Sequence, residues 1–127
     1  MGEGEPVVGR LEIRGLRCMG RHGSSPGQRE IESTFLVDLS VQADLEPAAR
    51  RDDLSSAVDL AALAATVRDV VGGPSCVLLE TVVVRIARAL LEGFPALEEV
   101  RVRVTVPEPA GLDAAEEAIE VTLARAT

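Results

Sequence analysis

Val100-Arg-Val102-Arg-Val104-Thr-Val106 alternates apolar and polar side chains without a fault until Pro107. A period of two is that of a strand with one buried and one wet face, and proline cannot continue its ladder. Working upstream, Phe35-Leu-Val37-Asp-Leu39-Ser-Val41-Gln-Ala43-Asp44 repeats the pattern, and Leu11-Glu-Ile13-Arg continues it into Leu16 and Cys18. Downstream, Ile119-Glu-Val121-Thr-Leu123 supplies a fourth strand. Gly20-Arg-His-Gly-Ser-Ser-Pro-Gly27 reads as a loop, so the first two strands form a wide-looped hairpin. Glu46-Pro47 ends the second strand. Arg50-Arg-Asp-Asp53 reads as a solvated connector, and Glu108 to Glu117 as an acidic Pro/Gly loop.

Two helices are predicted between the second and third strands. Asp59 is placed to cap the first, where Leu60, Leu63, Ala64, Val67, Val70 and Val71 share one face before Gly72-Gly73-Pro74 stops it. Ser75 is placed to cap the second, whose stripe is Leu79, Val82, Val83, Ile86, Ala87, Leu90, Leu91 and Phe94. The order ββααββ predicts an α+β fold, a four-stranded antiparallel sheet with both helices on one face. Such a sheet has two open edges, which charge must guard or assembly must consume.

Composition narrows the function classes. The chain has 127 residues and a net charge of 13 − 21 = −8. It reads as a single domain over residues 9–127 behind a disordered acidic tail, residues 1–8. The acidic balance and the near absence of aromatic rings argue against nucleic acid. No run approaches the length of a membrane span and no secretory leader is recognisable, so a cytoplasmic protein is expected. Every basic residue is arginine, which excludes lysine Schiff-base and lysine acid–base chemistry. Cys18 and Cys76 stand alone, without metal-ligand spacing, and read as small core residues. No metal or cofactor is implied. Arg101 and Arg103 with Glu120 read as a solvated cross-strand face.

Two residues carry more than packing. On a helical wheel Glu80 lies between the apolar stripe and the polar face of Arg85, Arg88 and Glu92, and it is the sole carboxylate from Ser75 through Leu91. It is either a helix-start acid solvated at the margin, helped by the first-turn N–H groups, or a carboxylate that receives two N–H donors from a ligand. The second suits an amidine-like ring edge, because parallel hydrogen bonds match its two oxygens. His22, the lone imidazole, is expected to be an exposed loop residue. It is also the one histidine available for proton transfer.

Gly20-Arg-His-Gly23, Phe35-Leu-Val-Asp-Leu39, Asp44-Leu-Glu-Pro-Ala-Ala49, Asp52-Asp-Leu54, Ala57-Val-Asp59, Leu79-Glu-Thr81 and Val102 to Pro107 occur in the order and spacing found in dihydroneopterin aldolases. Over about residues 9–125 the chain resembles this family of small tunnelling-fold enzymes of folate biosynthesis. The resemblance implies a homo-tetramer, or a homo-octamer of two stacked rings, in which sheet edges join into a barrel. It also implies a pterin held between subunits. Glu80 would anchor the pyrimidine edge, with backbone contacts at Leu79 and, from a neighbouring subunit, near Val58.

The family's catalytic groups do not carry over. The family's lysine before the proline ending the third strand falls on Val106. Its tyrosine falls on Leu60, and its loop glutamate on Gln28, with Glu30 or Glu32 as substitutes if the loop slips. Retro-aldol release of glycolaldehyde needs a base for the side-chain hydroxyl and a proton donor for the ring. The expected function is therefore binding of a pterin or purine-like heterocycle through Glu80 with altered or weak chemistry. The alternatives are a non-catalytic assembly or partner-binding subunit, or a plain aldolase relying on water and His22.

Overall fold

The computed structural model describes residues 4–126. Four strands, β1 (Val8–Gly20), β2 (Ser33–Asp44), β3 (Glu99–Pro107) and β4 (Glu116–Ala124), form one antiparallel sheet in the order β1-β2-β3-β4. The long helices α3 (Leu60–Val71) and α4 (Leu79–Gly93) connect β2 to β3 and pack together on one face of the sheet. Two short helices, α1 (Pro26–Glu30) and α2 (Glu46–Arg51), and a single 3-10 turn (Leu54–Ser56) decorate the connections. The α+β sandwich expected from the alternating strands is the observed architecture. No helix of the described residues is long and apolar enough to cross a membrane.

The pleat divides the sheet cleanly. Val37, Leu39 and Val41 of β2 and Val100, Val102 and Val104 of β3 are buried under the helices. They meet Leu63, Val67 and Val71 of α3 and Val82, Val83, Ile86, Ala87, Leu90 and Leu91 of α4. The opposite face is polar. Arg10 reaches across β2 to Glu99, with Nη1–Oε1 2.8 Å, and its Nε donates to Ser40 Oγ at 2.7 Å. Arg101 and Arg103 are exposed there, and Arg103 lies opposite Glu120 in register.

In β1 the apolar positions slip phase, from Leu11 and Ile13 to Leu16 and Cys18. A bulge absorbs the slip: the register shifts between Ile13 and Leu16, and Gly15 takes a left-handed φ of 67°. A side chain would resist that conformation. Its N–H donates to Asp38 Oδ1 at 2.6 Å, so both halves of β1 keep their apolar side inward.

Several local expectations need correction. The stretch read as loop from Gly20 to Gly27 runs into α1, where Ser25 and Gln28 form a reciprocal capping box. The connector at Arg50 and Arg51 is the last turn of α2. Ser75 caps nothing; α4 starts at Leu79 behind Leu78, which offers no side-chain cap. Leu60, the first residue of α3, is exposed and stands outside the buried face of Leu63, Val67 and Val71. Of the segment read as a tail, residues 1–3 lie outside the described residues. Val7 N–H donates to Asp44 Oδ1 at 2.9 Å, and Val8 begins β1.

The caps give a test of this helix layer. Asp59 accepts from Ala62 N–H at 3.1 Å, so Asp59→Ala lowers stability by about 1 kcal/mol in urea unfolding at fixed protein concentration. Ser75→Ala changes it by less than about 0.5 kcal/mol.

Candidate functional site

At one end of the sheet, the start of α4, the β1–β2 connection and the β3–β4 turn enclose an open cleft of about 910 Å³. Glu80 and Leu79 of α4 line it, together with Gln28 of α1, Val106 of β3 and an edge of His22. Leu60 and Val58, on the connection into α3, are not among its lining residues. Neither are Glu30 and Glu32. Glu30 is exposed, and its backbone carbonyl accepts from Arg21 Nη1 at 2.6 Å. No group of three metal-ligating side chains occurs among the described residues.

Glu80 sits in the first turn of α4 with its side chain exposed to the cleft. Because Leu78 provides no side-chain cap, the first-turn N–H groups and the helix dipole act at the same place. No arginine of the described residues forms an ion pair with Glu80. Both carboxylate oxygens therefore stay open to donors. Gln28 is committed elsewhere: its side-chain oxygen accepts from Ser25 N–H at 3.1 Å as part of the capping box.

His22 overturns its expectation. It is buried, at 7% exposure, rather than a solvated loop residue. Its Nδ1 accepts from Cys76 N–H at 3.0 Å, which leaves Nε2 to donate to the Val71 carbonyl at 2.6 Å. The ring is thus the neutral tautomer protonated on Nε2. It packs edge-on against Phe35, with ring centroids 5.3 Å apart. Gly23 N–H adds a bond to the Cys76 carbonyl at 3.0 Å. A Cβ on Gly20 would collide with the Val71 carbonyl, so only glycine permits this approach. With both nitrogens engaged, His22 positions the wall of the cleft and has no lone pair free for substrate.

The thiols stay structural. Burial pushes the Cys18 thiol up, with Arg68 pulling it down more weakly. Cys76 receives Arg85 Nη1 on its sulfur at 3.2 Å.

Sequence reasoning missed three charged residues of the cleft: Arg17, Glu108 and Glu117. The sequence places Glu117 at the end of a Pro/Gly loop. In the structure it belongs to β4, directly opposite Val106. Counting the antiparallel register back from the Val104–Ile119 pair finds it, but only once the turn length is known.

A family model described as dihydroneopterin aldolase matches residues 11–123. The chain belongs to the dihydroneopterin aldolase family. A dihydroneopterin aldolase of Streptomyces coelicolor is 41% identical over 99 residues, covering 78% of this chain and 82% of that protein. A probable dihydroneopterin aldolase of Arabidopsis thaliana is 37% identical over 100 residues, covering 79% of this chain and 62% of the plant protein. The crystal structure of the E. coli dihydroneopterin aldolase in complex with neopterin superposes with a TM-score of 0.84 at 26% identity. That superposition covers 91% of this chain and 98% of the other.

The histidine bridge is directly testable. His22→Ala leaves the Cys76 N–H and the Val71 carbonyl without partners, and lowers unfolding stability by about 2–3 kcal/mol. A change below about 0.5 kcal/mol would show that the loop does not depend on the imidazole.

Proposed function

We propose that this member of the dihydroneopterin aldolase family binds a pterin or related N-heterocycle through Glu80, at an interface between identical subunits, with its aldolase chemistry altered or weak. The observation that carries the reading is the cleft itself. It joins an unpaired helix-start carboxylate, Glu80, to a wall where Val106 and the already engaged Gln28 stand at the family's acid–base positions. The chain holds neither lysine nor tyrosine to replace them. A carboxylate with two free oxygens suits a ring N–H beside an exocyclic amine. Leu79 and, from a neighbouring subunit, Val58 would add backbone contacts. The complex of the E. coli relative with neopterin supports the ligand class.

The surface supports assembly into a tetramer or octamer. Ile31, Val77, Leu78 and Leu112 are exposed around the cleft, while Leu54 (92% exposed) and Leu60 are exposed on the connection into and start of α3. Apolar side chains grouped on one surface mark an interaction site, whereas scattered ones do not. The edges β1 and β4 are open for pairing. A neighbouring copy covering the cleft with its Val58–Leu60 segment would hide both sets and complete the site.

A second reading, a plain aldolase, is favoured by the names of the relatives. It must find its proton transfers without lysine, tyrosine or a free His22 nitrogen.

Two measurements test the reading. Calorimetric titration with neopterin gives saturable binding that Glu80→Gln weakens by at least about tenfold, the size of a charge-assisted hydrogen bond. Unchanged affinity in Glu80→Gln would refute the anchor. Light scattering gives a mass of four or eight chains; a monomer at working concentration would remove the shared site.

A further inference from the structure

Glu117 has no ion-pair partner among the described residues, yet it lies on the helix-facing side of β4, in phase with Ile119, Val121 and Leu123. Its partner across the ladder is Val106. Directly opposed side chains of an antiparallel pair stand about 4.5–5.5 Å apart at Cβ. The carboxylate therefore rises beside Val106 and Ile119, two apolar side chains that offer it no hydrogen bond. All three, with Glu80, line the same cleft.

The charge of this end of the cleft follows. Its lining holds three carboxylates, Glu80, Glu108 and Glu117, against one guanidinium, Arg17. Arg17 is paired with Leu36, and Leu36 with Thr105, so register places it in the row one residue out of phase with Val106 and Glu117. Successive residues of a strand project to opposite faces, so Arg17 points away from the face that carries Glu117. At the position beside Val106 the site presents an acceptor and a negative charge, and Arg17 is the one arginine among the residues that line the cleft.

We propose, granting that Glu80 holds the heterocycle, that Glu117 reads the ring substituent on the Val106 side of the cleft and selects a cationic, hydrogen-bond-donating group over an anionic one. The ligand class is then a pterin-like ring with an amine-bearing substituent. Such a group gives the carboxylate the donor and the opposite charge that the protein does not supply. An anionic substituent would face like charge. Glu117 acts here as a specificity-determining residue at an exposed position, and its substitution leaves the buried core untouched.

The test uses three pterins of nearly equal size carrying aminomethyl, hydroxymethyl or carboxyl at the same ring carbon. They are titrated calorimetrically into the full-length wild-type oligomer, Glu117→Gln and Glu117→Lys. The expected wild-type preference for aminomethyl over carboxyl is at least about tenfold. Glu117→Gln compresses the ratio below about threefold, and Glu117→Lys inverts it. A wild-type ratio near one, or a ratio that both variants leave unchanged, overturns the assignment of Glu117 while leaving Glu80 as anchor. Failure of the neutral hydroxymethyl compound to bind wild type overturns the heterocycle site, and the selection with it.

Discussion

The imidazole of His22 fixes the end of β1 against the segment that launches α4, and it forms the polar centre of that wall of the cleft. Its two nitrogens join Val71 and Cys76, residues on either side of the Gly72-Gly73-Pro74 break between the long helices. Gly20 allows the backbones to approach closely enough, and Phe35 holds the ring from the sheet side. With the Gly23 N–H bond to the Cys76 carbonyl, the bridge ties the start of α4 to the β1–β2 connection, while the packing of α4 on β3 sets Glu80 relative to Val106. A buried polar group that satisfies two backbone partners at once rigidifies what it joins. The same geometry removes His22 from the chemistry, since neither nitrogen is free.

Around that bridge the fold separates tasks by face and by end. The helix face of the sheet is closed with β-branched side chains. The opposite face carries the Arg10–Glu99 pair and the exposed Arg101 and Arg103. The cleft lies at one end, where β3 and β4 run out past the helices. One chain presents Glu80, Leu79, Gln28, Val106 and Glu117 there and leaves Val58 and Leu60 on another surface. A single subunit therefore offers half of the proposed site. On the proposed correspondence Gln28, Leu60 and Val106 stand at the family's acid–base positions, while Glu117 is paired with Val106 across the ladder. In the proposed function the pocket is kept with a different charge pattern.

The fold was legible because Val100–Val106 and Phe35–Asp44 alternate without interruption, and a period of two admits one reading. Asp59 as a cap was legible too, since its role is local. What failed were features set by distant partners. His22 contacts residues far along the chain, so its sequence neighbours, all loop formers, point to solvent. Ser75 has the chemistry of a cap, but Cys76 is held by His22, and the helix starts only at Leu79. Glu117 follows Glu116 and precedes Ala118, which breaks the alternation; only pairing with Val106 reveals the strand. Glu80 could be singled out from its place on the wheel, whereas the groups facing it across the cleft come from three other segments.

The proposed function requires that the pocket persist while Gln28, Leu60 and Val106 withhold the acid–base groups of the aldolase. The most direct test is glycolaldehyde release from dihydroneopterin by wild type and by the combined variant Gln28→Glu, Leu60→Tyr, Val106→Lys. Wild type is expected to release glycolaldehyde near background, and the variant to gain at least about a hundredfold, the scale of a restored acid–base group. Wild-type turnover already at the level of the Streptomyces coelicolor relative would contradict it.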